Sequence, residues 1–446
     1  MNLLKAGFAS AKITPPMGVR ISGYFVERIA DGVRDDLYVR ALALQAGDKR
    51  VVMLSYDLCS VVTPTAKEIR KAVSEALGLP YEAIYLAATH THTGPFSTHG
   101  ENNDLQEQYY NYLMTQTLSA AKEAVIDLKD AKMGWRVGEA PGIAFVRRFR
   151  MKDGSVKTNP GTGNPDILAP IGDVDNRVNV LRFERENDNI CLVNFGDHPD
   201  TVGGCKISAD WPGALCATME RAVDNCHCIF FNGAQGDVNH IDVNAKDGDL
   251  NDLVNDFDDV VRGYKHAQHM GHVVAGGVLQ VYDKVNYVDV DDISYIEKTI
   301  EIPSNMPRPD QIELAHKYND LHKAGKDDQI PFKGMELTTV VAEAGRMVNL
   351  EHGPESFPMA MEVLAIGPVA FVAIPGEPFT GIGRALKETE GFSMILPCCN
   401  ANGREGYFPM QEAYDEGGYE SRSSVFKAGV AERIIKAGKE LLGSVR

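Results

Sequence analysis

The sequence predicts a single large α/β domain, with a mixed β-sheet core flanked by helices and a site where strands end. Three observations carry this expectation. Short, continuous apolar runs, suited to strands covered on both faces, alternate with segments of helical periodicity. One arrangement, an apolar hairpin ending in a polar residue at a chain breaker, occurs three times. Of the 446 residues, 44% are hydrophobic and 24% charged, an ordinary balance for a globular chain able to bury a large core.

Residues 7–25 read as a short strand, the breaker Thr14-Pro15-Pro16 and a loop ending Ser22-Gly23-Tyr24-Phe25. Strands at 38–45 and 50–57 form the first hairpin around Ala46-Gly47-Asp48-Lys49. The second strand is almost wholly apolar (Val51, Val52, Met53, Leu54) before it ends in Tyr56-Asp57. Ile69, Ala72, Val73 and Ala76 have helical spacing over 65–77, and Gly78 stops that helix. The run Ala83-Ile84-Tyr85-Leu86 leads as a strand into Thr89-His90-Thr91-His92-Thr93-Gly94-Pro95. On a strand His90 and His92 face one side, because side chains alternate with a period of two. Such a pair can be a metal ligand beside a proton-transferring neighbour, two ligands, or two histidines bonded to backbone.

A helix at 104–128 and a strand at 133–137 follow. Phe145-Val146-Arg147-Arg148-Phe149-Arg150 reads as a solvated face unless acidic or oxyanionic chemistry lies beside it, and 151–175, rich in Gly, Pro, Asn and Asp, as a long loop rimming a site. The second hairpin, 178–183 and 190–195, turns at Asn187-Asp188-Asn189 and ends Gly196-Asp197-His198-Pro199. Strand 229–231 opens the Gly-rich loop 232–239, whose backbone N–H groups can face an anion. Residues 242–259 are strongly acidic but lack EF-hand spacing. His266, His269 and His272 fall on a helix over 252–282 as surface or packing residues, and 285–355 reads as a peripheral elaboration, a strand followed by helices at 309–324 and 335–347. The third hairpin, 361–366 and 369–374, turns at Gly367-Pro368 and ends Pro375-Gly376-Glu377-Pro378. Asp57, His198 and Glu377 therefore end three hairpins, and with the His-x-His segment they point to one assembled site.

Composition narrows the function. Lys plus Arg number 45 and Asp plus Glu 62, a net charge of −17 that argues against phosphate-backbone or anionic-membrane binding as the main role. The start, Met1-Asn2-Leu3-Leu4-Lys5, lacks signal-peptide character, and no apolar run approaches the roughly 20 residues that span a bilayer. Among eight cysteines, Cys226/Cys228 and Cys398/Cys399 are too close for an ordinary disulfide framework, so reduced thiols and a cytoplasmic location are expected. Cys226-His227-Cys228 runs into an apolar strand and reads as structural, not as metal spacing.

Several segments together resemble the N-terminal catalytic domain of the neutral (non-lysosomal) ceramidase family. They are Ala11-Lys12-Ile13-Thr14-Pro15-Pro16 with Ser22-Gly23-Tyr24, then Thr89 to Pro95, then Asn194-Phe195-Gly196-Asp197-His198 with Ile207-Ser208-Ala209-Asp210-Trp211-Pro212-Gly213. The Gly-Asp-Val loop at 232–239, Pro375-Gly376-Glu377, Gly406-Tyr407 and Tyr419-Glu420 complete the series, in order along essentially the whole chain. The resemblance implies a zinc ion held by His90, His198, Glu377 and Tyr407 with water completing the site. It places His92 as the second motif histidine, Tyr419 beside the centre, and an active-site arginine at Arg147 or its neighbour Arg148. Zinc lowers the pKa of bound water toward about 7 and polarises a carbonyl. His92 is then suited to carry a proton to the leaving amine, and Arg147 and Tyr419 to stabilise an oxyanion.

The sequence departs from the family in lacking a signal peptide, in ending soon after Tyr419 without the C-terminal immunoglobulin-like domain, and in reading Gly23-Tyr24-Phe25 where the family has Gly-Tyr-Ser. An aromatic in place of a serine near the substrate head group alters specificity more than reaction type. The expectation is a zinc-dependent hydrolase that cleaves a linear amide (N-acyl) bond of a ceramide-like or smaller N-acylated molecule. An ester or glycosidic bond, or a non-catalytic binding role, are the alternatives. Asp57 and Asp237 leave open a second metal.

Overall fold

A computed structural model describes residues 4–100, 103–244 and 263–445. The chain is α/β, and its mixed core is divided into three sheets built on one repeated unit: an antiparallel hairpin, a crossover helix, and a strand parallel to the hairpin's second strand. The first unit is Tyr38–Ala46, Lys49–Tyr56, helix Thr63–Leu77 and strand Ile84–Ala88. The second is Arg177–Glu184, Asn189–Phe195, helix Asp210–Ala222 and strand Cys226–Asn232. The third is Ser356–Ile366, Val369–Ala373, helix Thr380–Lys387 and strand Met394–Cys398. Parallel pairing requires a long crossover, and the helix supplies it while covering one face of its sheet. Outer strands extend each sheet: Leu4–Lys12 in the first, Lys132–Glu139 in the second and Ile293–Pro303 in the third.

Local sequence explains the units. Gly47, at φ 59°, and Gly367, at φ 55°, take the left-handed turn positions that tighten two of the hairpins. Gly78, at φ 65°, closes the helix Thr63–Leu77 by donating to the Ser74 carbonyl. The apolar strands are covered on both faces, as their lack of alternation predicted. Val51 and Met53 face the centre of the molecule, whereas Val52 and Leu54 face the helices Thr63–Leu77 and Asp104–Ile126. The same division holds for Ile190 and Leu192 against Cys191 and Val193, and for Val369 and Phe371 against Ala370 and Val372.

The inward faces of all three sheets therefore share one core. Tyr85, Phe231 and Phe371, one from each sheet, meet edge to face at its middle with ring centroids 5.9, 6.2 and 6.3 Å apart. Because parallel strands run in one direction, the loops after Tyr56, Ala88, Phe195, Asn232, Ala373 and Cys398 gather at one end.

Several expectations need correction. His90 and His92 are not on a strand: the strand stops at Ala88, and His90 has a left-handed backbone with φ 79°. Period-two alternation therefore does not bring the two rings together. Residues 151–175 are not one loop but carry strands Val156–Thr158 and Ile167–Pro170, both paired with Arg148–Met151. Arg147 and Arg148 are buried, not solvated. The strand and two helices expected over 285–355 are seen as Ile293–Pro303, Ile312–Lys323 and Gly334–Leu350, but the strand is a full member of the third sheet. The helix expected over 252–282 is seen as Tyr264–Tyr282, and its earlier part lies outside the described residues, as does most of the acidic stretch 242–259. All eight cysteines are free thiols, and Cys226 and Cys228 are buried on a strand. Among the described residues no helix is long and apolar enough to cross a membrane.

If the three sheets depend on a shared core, Phe371→Ala should cost about 3–5 kcal/mol in urea unfolding. A loss under about 1 kcal/mol would mean that the sheets hold together without the aromatic contact.

Candidate active site

The gathered loops place His90, His198 and Glu377 around one point. Glu377 Oε2 lies 3.3 Å from His90 Nε2 and 3.2 Å from His198 Nε2. One ligating atom from each of the three residues fits within a sphere of contacts no wider than 4.8 Å. All three side chains are almost fully buried.

Each is set by its own loop. His90 N donates to the Leu58 carbonyl, and His90 Nδ1 faces the Cys59 carbonyl at 2.7 Å. His198 Nδ1 faces the Gln235 and Val238 carbonyls at 3.0 and 3.1 Å. A carbonyl can only accept, so both Nδ1 atoms carry the proton and both Nε2 lone pairs point at Glu377. Glu377 follows Gly376, at φ 158°, where a Cβ would lie 2.4 Å from the Gly406 carbonyl oxygen. The absent side chain lets the segment Tyr407–Phe408 pair in parallel with Glu377–Pro378, which puts Tyr407 directly beside Glu377. The Tyr407 ring stands 6.5 Å from that of His198.

Two imidazole lone pairs and a carboxylate facing one another repel unless something positive lies between them. His198 Nε2 and Glu377 Oε2 are buried without a hydrogen-bond partner. This is a donor set that a divalent cation satisfies, and the nitrogen–oxygen chemistry suits zinc. The charges agree. Burial opposes ionisation of Glu377, but His90 and His198 outweigh it and hold the carboxyl well below its ordinary value. Burial also opposes a charged His90, yet Glu377 and Cys59 prevail and raise its pKa well above 6.5, so a proton on His90 takes the central place when no metal does. Burial and then the Arg147 charge push His198 down to about 4. Burial raises Tyr407 well above its usual value, and the Glu377 charge adds to it.

His92 lies beside this group, its Nε2 3.2 Å from His90 Nε2. Burial pushes its pKa well below 6.5, against a smaller opposing effect of Asp200. Arg147 is buried with Nε 2.7 Å from Glu420 Oε1, and it donates to the Gly236 carbonyl at 2.7 Å. Its guanidinium carbon is 5.4 Å from the Tyr407 ring centre. Tyr419 meets Tyr407 edge to face at 5.5 Å. His92, His198, Arg147, Tyr407 and Tyr419 all line one cavity of about 310 Å³, rimmed by Phe25, Val26, Met335 and Thr338. Arg148 is not part of that lining: it binds Glu416 and the Gly417 carbonyl.

The two carboxylates considered for a second metal are otherwise engaged. Asp57 pairs with the buried Arg40 at 2.8 Å and accepts from Tyr38 N. Asp237 accepts from Thr380 N and Thr380 Oγ1. His266, His269 and His272 line no part of the cavity.

Sequence reasoning passed over Asp200, Tyr24 and Glu420. Glu420 lay inside the Tyr419-Glu420 segment already singled out, and Asp200 falls one residue past the segment ending Pro199. Met335 and Thr338 gave no signal, since only tertiary packing brings helix Gly334–Leu350 to the rim.

The chain matches the model of the family described as neutral/alkaline non-lysosomal ceramidase, N-terminal, over residues 4–238, more than half its length. The chain belongs to this family. Among solved structures, neutral ceramidase from Pseudomonas aeruginosa superposes with a TM-score of 0.75 at 17% identity, covering 99% of this chain and 74% of that one. A second, described as ceramidase complexed with C2, gives a TM-score of 0.72 at 17% identity, with 99% and 75% covered. At this identity the superpositions establish a shared ceramidase fold over nearly the whole chain. The family model ends before Glu377, Tyr407 and Tyr419, so the grouping of those residues with His90 and His198 rests on this geometry.

Burial of a neutral His198 carries a pH dependence. The unfolded chain takes up its proton near 6.5 and the folded chain only near about 4, so stability falls as pH drops through that window. For metal-free protein the loss from this group should be roughly 2 kcal/mol between pH 7 and pH 5. Urea unfolding at both pH values, with His198→Asn for comparison, measures it; equal losses in the two proteins would mean that His198 is not held neutral.

Proposed function

We propose that this ceramidase-family chain is a zinc-dependent amidase that hydrolyses the linear N-acyl bond of a ceramide-like or smaller N-acylated substrate. The observation that carries the reading is the convergence of His90 Nε2, His198 Nε2 and Glu377 Oε2 on one point, with His198 and Tyr407 lining the adjoining cavity. These four residues would hold the ion. Zinc bound there supplies a water of lowered pKa and a polarised substrate carbonyl.

The remaining roles belong to side chains lining the cavity. His92, kept neutral by burial, accepts a proton from the attacking water at Nε2 and returns it to the departing nitrogen. Arg147 stays charged beside Glu420 and Tyr407, and with the Tyr419 hydroxyl it offers donors for the negative charge that grows on the carbonyl oxygen. Water is restricted by the apolar rim of Phe25, Val26 and Met335. The cavity shares Asn159, Met335 and Tyr419 with a groove of about 900 Å³, which gives room for the parts of the substrate away from the bond.

Protein purified without added metal should contain about one zinc per chain by elemental analysis. His90→Ala and Glu377→Ala should lose both the metal and amide hydrolysis, by at least about 100-fold. His92→Ala should keep the metal and lose turnover by about 100- to 10,000-fold. Matched amide, ester and glycoside substrates identify the bond. Cleavage of glycosides alone, or no uptake of zinc, would sink the proposal.

A further inference from the structure

His92 is surrounded on the side away from the ligand group by residues with no part in the chemistry proposed above. Its Nδ1 is buried, makes no hydrogen bond of ordinary geometry, and lies 3.5 Å from Asp200 Oδ1. That same oxygen accepts a hydrogen bond from the Tyr24 hydroxyl at 2.5 Å. Tyr24 is fixed in turn, since the Arg28 guanidinium carbon stands 3.8 Å from its ring centre. Arg28 also donates to the His92 carbonyl at 2.7 Å and the Ser22 carbonyl at 2.6 Å. At Gly23, φ 108°, a Cβ would lie 2.9 Å from His92 Cγ, so only glycine lets this loop pack directly on the imidazole.

We propose that Asp200, held by Tyr24, is a positioning residue for His92: its carboxylate takes the Nδ1–H hydrogen bond, fixes the ring, and leaves Nε2 as the proton acceptor. The inference rests on the proton-carrying role of His92. A neutral imidazole has one N–H, and the partner of one nitrogen decides what the other can do. His90 and His198 have backbone carbonyls for that purpose. His92 has a carboxylate instead, which lines the cavity and is not one of the residues grouped around Glu377. Hydrogen bonds of this kind are long in substrate-free enzymes and shorten when the site fills, which accommodates the 3.5 Å separation.

Asp200→Asn is the decisive variant, because it keeps the shape and removes the charge. In zinc-loaded protein it should retain the metal by elemental analysis and keep KM for an N-acyl substrate, while kcat falls about 10- to 100-fold. Tyr24→Phe should show a smaller fall of the same kind. An unchanged kcat in Asp200→Asn, or a fall that follows loss of zinc, overturns the proposal. A second measurement is independent of turnover. In 15N-histidine NMR, with His92 assigned by its absence from His92→Gln, the wild type should be protonated at Nδ1 and Asp200→Asn should mix both tautomers. His92 protonated at Nε2 in the wild type overturns the proposal even where amide hydrolysis stands. If the protein hydrolyses no amide, it is the amidase reading that fails, and the NMR result alone decides whether Asp200 sets the ring.

Discussion

The site depends on how three strand ends are tied together, and the knot is Asn232. Its Nδ2 donates to the carbonyls of Thr89 at 3.1 Å and Asp197 at 2.9 Å, while its own carbonyl accepts from Cys399 N at 3.0 Å. Those three partners belong to the loops that end the crossover strand of the first unit, the hairpin of the second, and the crossover strand of the third. The residue is fully buried, so every one of these bonds is made in a low-dielectric surrounding where an unmade bond is costly. A neighbouring loop segment closes the ring: Ala88 N donates to the Asn400 carbonyl, and Asn400 N to the Gly376 carbonyl. His90, His198 and Glu377 are thus each within two residues of a backbone group in one connected network. The aromatic contact of Tyr85, Phe231 and Phe371 sits beneath that network and keeps the three sheets at a fixed spacing.

Fixing the loops so firmly has an energetic consequence at the centre. His90 is held in a left-handed backbone, which costs a β-carbon-bearing residue on the order of 1 kcal/mol, and its ring is aimed at Glu377 beside a second imidazole. The strain is held in place by the backbone hydrogen bonds of this network, whereas the opposed lone pairs are relieved by a positive charge between them. A positive charge at that point offsets the repulsion, and in the function proposed above the cation supplies it.

How much of this could be read in the sequence follows from what kind of interaction each feature rests on. The three hairpins were legible because strand burial and turn chemistry are local: Val51 to Leu54, Gly47 and Gly367 declare themselves within a few residues. That the sheets are three and not one was not legible, since it is decided by which face of Phe231 or Phe371 meets Tyr85. His198 and Glu377 were legible as polar residues at breakers after apolar strands. The juxtaposition of His90 and His92 was anticipated for the wrong reason, because a left-handed residue, not strand alternation, turns the rings together. Arg147 and Arg148 misled for a related cause. Their partners, Glu420 and Glu416, are more than 250 residues away, and charge that is neutralised so far along the chain looks like surface.

The division of labour around the cavity follows from the same distinction. Its floor comes from the ends of the repeated units, where direction and spacing are set by hydrogen-bonded strands and leave little freedom. Its rim comes from segments outside those units, the loop bearing Tyr24, Phe25 and Val26 and the helix bearing Met335 and Thr338. Phe25 is half exposed and meets Tyr419 edge to face at 6.5 Å, so it forms an apolar wall beside a phenol that lines the cavity. A change at the rim alters which groups are desolvated when substrate binds without moving His90, His198 or Glu377. The loop is not wholly independent of the floor, however. Arg28 and Gly23 fasten it to His92, so the segment that shapes the entrance also touches the residue proposed to move the proton. Substrate contacts made at Phe25 or Tyr24 can therefore be felt at the imidazole, through a few bonds rather than through the sheets.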